Sequence, residues 1–221
     1  MLFDAHLHYK NHENGGFLIG LEGNPKFEGT LDNKEVLKLH CPKDKYFAFY
    51  YVCNNAISNK IEHPLLKYHP RREGYSKELV SASIKLNTPK VVIVDTLNEP
   101  YWNAYDYWYL AKENPTVTFI MAHSGGYLIN EFIKMCHFQK NIWIDFALTH
   151  TVLGKLGDIT KGLNYINDAI KYALNSSFND RILLASDFPF YDQDEVFKYY
   201  SEYEEMLNKN FLRLVAEKII K

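Results

Sequence analysis

The sequence predicts a (β/α)8 barrel, an α/β TIM barrel that is small for its class, with short or distorted early βα units and two helices at the C-terminal end. Three observations predict it. Short apolar runs recur along the chain with helical patterns between them. Several runs are nearly continuous and β-branched, as in Val91-Val92-Ile93-Val94 and Val117-Thr118-Phe119-Ile120-Met121, which suits parallel strands covered on both faces. No Gly-rich phosphate loop follows the first run, which argues against an open doubly wound sheet. At 221 residues the chain is shorter than the roughly 250 typical of such barrels, and residues 1–221 read as one domain.

The elements follow in order. Strands are expected near Leu2–His6, Phe17–Gly20, Tyr46–Val52, Leu65–His69, Val91–Asp95, Val117–Ala122, Ile142–Phe146 and Ile182–Ser186. Apolar steps of three and four residues predict helices over Asn33–Leu39, Ser76–Leu86, Tyr101–Lys112, Tyr127–His137 and Leu163–Leu174. Ser76, three residues before Leu79, reads as an N-cap. Gln193–Leu207 and Asn210–Ile220 read as the terminal pair, with a turn at Asn208-Lys209-Asn210.

Composition narrows the function classes. A net charge of −2 gives no basic footprint for nucleic acid. No apolar run reaches the roughly 18–20 residues of a membrane span, and no leader pattern opens the chain, so a cytoplasmic protein is expected. Cys41, Cys53 and Cys136 are scattered and follow no CxxC spacing, which reads as reduced, packed thiols.

In a barrel, catalytic groups sit at the C-terminal ends of strands. Those ends carry His6 and His8, Lys67 and His69, Asp95, His123, Asp145 and Asp187. Strand alternation places Asp4, His6 and His8 on one face, and two imidazoles there can converge on a metal ion. Arg71 and Arg72 follow strand four, where guanidinium forks suit a carboxylate or phosphate. His12 and Glu13 line the same mouth, whereas His40, His63, His137 and His150 read as structural or surface residues, His150 after strand seven being the nearest to an exception. Each polar group also has an ordinary reading: Asp187 as a turn or helix-capping residue, His123 as a turn residue before Ser-Gly-Gly, Asp95 as a cap near Asn98-Glu99-Pro100, Asp145 as a partner of Lys67, and Arg71 and Arg72 as surface partners of Glu73.

Asp4-Ala5-His6-Leu7-His8, Lys67-Tyr68-His69-Pro70, Ala122-His123-Ser124-Gly125-Gly126 and Ala185-Ser186-Asp187-Phe188-Pro189 resemble, in that order, the motifs of the amidohydrolase superfamily. The resemblance is strongest to its amidohydrolase-related (amidohydrolase 2) branch of metal-dependent hydrolases and decarboxylases. It implies one divalent metal ion held by His6, His8 and Asp187, with Asp187 and His123 as the catalytic pair. One departure stands out: the family's strand-five histidine is replaced here by Asp95. Asp95 is expected to complete the metal site through oxygen, His69 being the alternative and a metal-free lactonase a third. Zinc is the first expectation, with manganese and iron compatible. Lys67, His69, Arg71 and Arg72 are expected to bind substrate, since the Lys-x-His-Pro pattern accompanies mononuclear sites rather than a lysine bridging two metals.

The expected activity is hydrolysis of a small, anionic carbonyl, ester or amide compound by activated water. Non-oxidative decarboxylation uses the same groups. A TatD-like metal-dependent nuclease shares the two chain ends but needs a strand-end glutamate that this sequence lacks. A barrel that has lost activity and only binds is the non-enzymatic alternative. Partners are a small-molecule substrate and neither nucleic acid nor membrane, with room at the short loops for a second copy of the chain in a homo-oligomer.

Overall fold

The computed structural model describes residues 2–9, 15–23, 28–97, 102–147 and 159–220, the side chains of residues 159–164 excepted. Eight strands run parallel in chain order: β1 Asp4–Leu7, β2 Gly16–Ile19, β3 Tyr46–Tyr51, β4 Leu65–Tyr68, β5 Val91–Asp95, β6 Thr118–Ala122, β7 Ile142–Asp145 and β8 Ile182–Leu183. β8 is shorter than the expected Ile182–Ser186, and the chain turns left-handed further on, at Asp187 (φ 64°). The segment still meets β1. Ala5 N–H donates to Leu184 O (2.8 Å), Asp187 N–H to His6 O (2.9 Å) and His8 N–H to Phe188 O (2.8 Å), which brings the last strand back onto the first.

Alternation sorts the strand side chains into two layers. Phe3, Ala5, Phe17, Ile19, Phe49, Ile93, Ile120 and Trp143 pack together inside the barrel. Leu66, Tyr68, Val92, Val94, Phe119 and Ile144 pack outward against the helices. These are α1 Asn33–Lys38, α2 Pro70–Glu73, α3 Lys77–Asn87, α4 Ala104–Glu113, α5 Ile129–Phe138, α6 Ile159–Leu174, α7 Gln193–Tyr199 and α8 Glu204–Leu214. Ser76 caps α3 through Leu79 N–H as the sequence predicts. Asn103 and Asp106 form a reciprocal capping box at α4.

Two expectations need correction. The C-terminal break falls at Tyr200–Tyr203, and α8 runs straight through Asn208-Lys209-Asn210 before its last turns widen over Val215–Ile220. Both asparagines are spent on tertiary hydrogen bonds: Asn208 Oδ1 accepts from Phe3 N–H (3.0 Å), and Asn210 Nδ2 donates to Asn179 O (2.7 Å) and Ile182 O (2.9 Å). Those bonds hold α8 across the N-terminal end of the barrel, where Phe211 stacks on Phe3 at 4.7 Å. The single-face reading of Asp4, His6 and His8 also fails. The register of β1 on β2 slips between Asp4 and Leu7, a bulge that resets the alternation and leaves Asp4 apart from the two histidines.

Candidate active site

The bulge delivers His6 and His8 to the C-terminal mouth. His8 Nδ1 lies 3.0 Å from Ile19 O, so Nδ1 donates there and Nε2 faces the cavity. That Nε2 is 3.2 Å from Asp187 Oδ1, and His6 Nε2 is 3.3 Å from the same oxygen. All three residues are nearly inaccessible, and their ligand atoms lie within 4.8 Å of one another. Two imidazole nitrogens and a carboxylate oxygen at such spacing form a donor set suited to a divalent cation.

Strands β5 to β7 build the opposite wall. After Ala122 the backbone enters a run of positive φ at His123 (66°), Ser124 (46°), Gly125 (72°) and Gly126 (58°). Non-glycine residues in that region cost on the order of 1–3 kcal/mol each, and they persist where surrounding bonds over-determine them. Asp145 Oδ1 accepts from His123 N–H (2.8 Å) and Ala147 N–H (3.1 Å). Ser124 Oγ bonds to Asp145 O, and Gly125 N–H donates to Thr96 Oγ1 (2.8 Å). A Cβ on Gly125 would come 2.2 Å from the Phe132 ring, so glycine is required there. The turn fixes His123 with Nδ1 2.9 Å from Ala147 O and Nε2 3.1 Å from Asp95 Oδ2. Both nitrogens of His123 therefore face acceptors.

Electrostatics separates the roles. Burial alone would raise Asp95, but His69, His123 and Lys67 together hold its carboxyl well below the usual range. Burial alone would lower His123, yet the Asp95 carboxylate raises it. Burial, then the Lys67 charge, pushes His6 well below the imidazole range, and burial brings His69 down to about 4. His6 and His69 are thus neutral at pH 7. Burial also raises Asp145. Lys67 is wholly enclosed and its pKa is lowered by burial, against the pull of Asp95, Asp145 and Asp187. Its Nζ has no hydrogen-bond partner among the described residues, and neither do His6 Nδ1 and Asp145 Oδ2, which lie 3.6 Å apart.

The expected site residues converge. His6, His8, Lys67, His69, Arg71, Arg72, Asp95, His123 and Asp187 all line one cavity of about 210 Å³ at the mouth. That is below the roughly 300–1,000 Å³ of drug-sized sites. Asp95 stands against His123 and His69 (3.5 Å) rather than among His6, His8 and Asp187. Arg72 stacks over Tyr51 at 5.5 Å and donates to Glu22 O. His69 also caps the short helix α2, which places Arg71 and Arg72 at the rim. His12, Glu13, Asn98-Glu99-Pro100 and His150 lie outside the described residues. The sequence reading gave no role to Ser124, Thr96 or Gly125. Their only signal was the Ser-Gly-Gly run after His123, whose left-handed geometry explains it.

A sequence model of the amidohydrolase family matches residues 68–208. The chain belongs to the amidohydrolase family. No curated protein matches the sequence. Among solved structures, this amidohydrolase is similar to an uncharacterized TIM-barrel protein from Bordetella bronchiseptica, with 16% identity and a TM-score of 0.66 over 92% of this chain and 78% of that one. It is also similar to a probable 2-pyrone-4,6-dicarboxylic acid hydrolase from Acinetobacter baumannii with citric acid bound. There identity is 12% and the TM-score 0.60, over 97% of this chain and 99% of that one. Both likenesses establish the barrel, and members of the amidohydrolase family act on small molecules as hydrolases or decarboxylases.

Proposed function

We propose that this amidohydrolase is a divalent-metal-dependent hydrolase of a small, anionic carbonyl, ester or amide compound. The observation that carries the reading is the aim of His6 Nε2 and His8 Nε2 at one oxygen of Asp187, in a buried cavity. His6, His8 and Asp187 would hold the ion, zinc before manganese or iron. When bound there, the cation supplies a Lewis acid that polarises a carbonyl and lowers the pKa of water.

The chain's own groups do the rest. Asp187 takes the proton from the attacking water and returns it to the leaving group. His123 stands at the cavity wall with Nδ1 on Ala147 O and Nε2 on Asp95 Oδ2, and the positive charge that the Asp95 carboxylate favours on its ring stabilises the oxygen on which charge develops. This reading assigns Asp95 to His123 rather than to the cation. Lys67 Nζ, enclosed and without a partner among the described residues, meets a substrate carboxylate together with His69 and Arg71 at the cavity wall. Arg72, tied to Glu22 and Tyr51, shapes that wall.

Metal analysis of purified protein and turnover on a panel of small carboxylate-bearing esters, lactones and amides test the proposal. Asp187→Asn should keep the wild-type circular dichroism and lose about 10²–10⁴-fold in turnover. An Asp187→Asn variant as fast as wild type would overturn the reading. Release of CO2 in place of hydrolysis products would replace hydrolysis with non-oxidative decarboxylation at the same groups.

A further inference from the structure

Asp4 opens the chain's first motif, yet its carboxylate lies outside the cavity lining and the His6, His8 and Asp187 group. It is wholly buried. Its oxygens accept four hydrogen bonds. Oδ1 accepts from His6 N–H (3.0 Å) and Ser186 N–H (3.0 Å), and Oδ2 accepts from Ser186 Oγ (2.5 Å) and Gln193 Nε2 (2.6 Å). One donor is the backbone of a residue whose ring lines the site. Two belong to the residue immediately before Asp187, and the fourth belongs to α7 on the outer side of the barrel.

We propose that Asp4 is a positioning residue that clamps the β1 bulge to the β8 turn and so sets the spacing of His6 and Asp187 for a divalent cation. The proposal rests on the metal-site reading above. The bulge and the left-handed Asp187 are each local departures from regular strand, and neither is held by a full ladder of strand pairing. The Asp4 side chain bonds to His6 N–H in the first and to Ser186, next to Asp187, in the second. Ser186 Oγ donates to Asp4 and in turn accepts from Phe188 N–H (3.1 Å), which carries the clamp past Asp187. Gln193 Oε1 is buried and has no partner among the described residues. An amide at position 4 keeps both backbone bonds at Oδ1, and with Gln193 turned over its Nδ2 donates to Gln193 Oε1 and to Ser186 Oγ, in place of the bonds that Ser186 Oγ–H and Gln193 Nε2 donate to the carboxylate.

Cobalt(II) titration followed by the visible d–d spectrum of the full chain, with circular dichroism as the folding control, tests this. Asp4→Ala should weaken cobalt binding about tenfold or more and change the spectrum. Asp4→Asn should stay within about threefold of wild type with the wild-type spectrum. Gln193→Ala, which removes one of the four bonds to Asp4 and leaves the three from His6 and Ser186 in place, should fall between them and serves if Asp4→Ala does not fold. Wild-type affinity and spectrum in Asp4→Ala or, should that variant not fold, in Gln193→Ala would overturn the clamp and leave the metal site standing. Equal losses in Asp4→Ala and Asp4→Asn would overturn it as well, since charge rather than geometry would then be at work. Absence of cobalt binding by the wild type would instead overturn the metal-site reading, and the clamp with it.

Discussion

Asp95 and Asp145 end two strands of the same barrel, and both are wholly buried, yet their carboxyls are displaced in opposite directions. Burial raises both. Asp95 sits within 3.1–3.5 Å of two imidazoles, and their attraction outweighs desolvation; Asp145 has mostly backbone donors and remains raised. The contrast separates an anionic partner for His123 from a backbone clamp. Away from the site, burial lowers His63, with His40 6.4 Å away adding a like-charge contribution. The folded state then binds fewer protons than the unfolded chain once pH falls below about 6.5. The stability His63 contributes is present above that value and is lost as pH falls through its depressed folded pKa. Urea melts at pH 7.5 and 5.5 should show His63→Gln narrowing the gap between the two; an unchanged gap would remove His63 from the account.

At the scale of elements, two irregular segments make the site. The β1 bulge turns His6 and His8 toward the mouth, and the left-handed run after β6 turns His123 toward Asp95. Gly125→Ala would meet both a φ of 72° and the Phe132 ring at 2.2 Å. Backbone strain and overpacking together cost about 2–4 kcal/mol. Thermal unfolding should show that loss, with turnover reduced beyond what the unfolded fraction explains, because the His123 turn shifts. Periodicity anticipated the existence of nearly every element. It could not anticipate these two, since a bulge leaves composition unchanged and alternation arguments assume an unbroken ladder. Asn208 and Asn210 misled for a related reason. Their side chains bond to distant backbone groups, and local preference cannot register such partners.

Across the whole molecule, chemistry and stability occupy opposite ends of the barrel. Polar strand ends gather at the C-terminal mouth, while α8 covers the other end, with Phe211 4.7 Å from both Phe3 and Phe17. Phe211→Ala should cost about 3–5 kcal/mol and leave metal affinity at the wild-type value in the fraction that remains folded. Denaturant melts with a parallel metal titration check this; a matching loss of affinity would show that the two ends are coupled. No helix among the described residues is long and apolar enough to cross a membrane.

The sequence by itself determined the barrel class, the strand order and the identity of the mouth residues, because hydrophobic period and polar strand ends are local patterns of a parallel sheet. Only the tertiary structure decided which of those residues face one another. Asp4 parted from the face of His6 and His8, and Asp95 joined His123, through a one-residue slip in β1 and a left-handed turn after β6. Those partnerships depend on through-space distances between chain segments far apart in sequence, and they are settled by packing and backbone hydrogen bonding rather than by residue type.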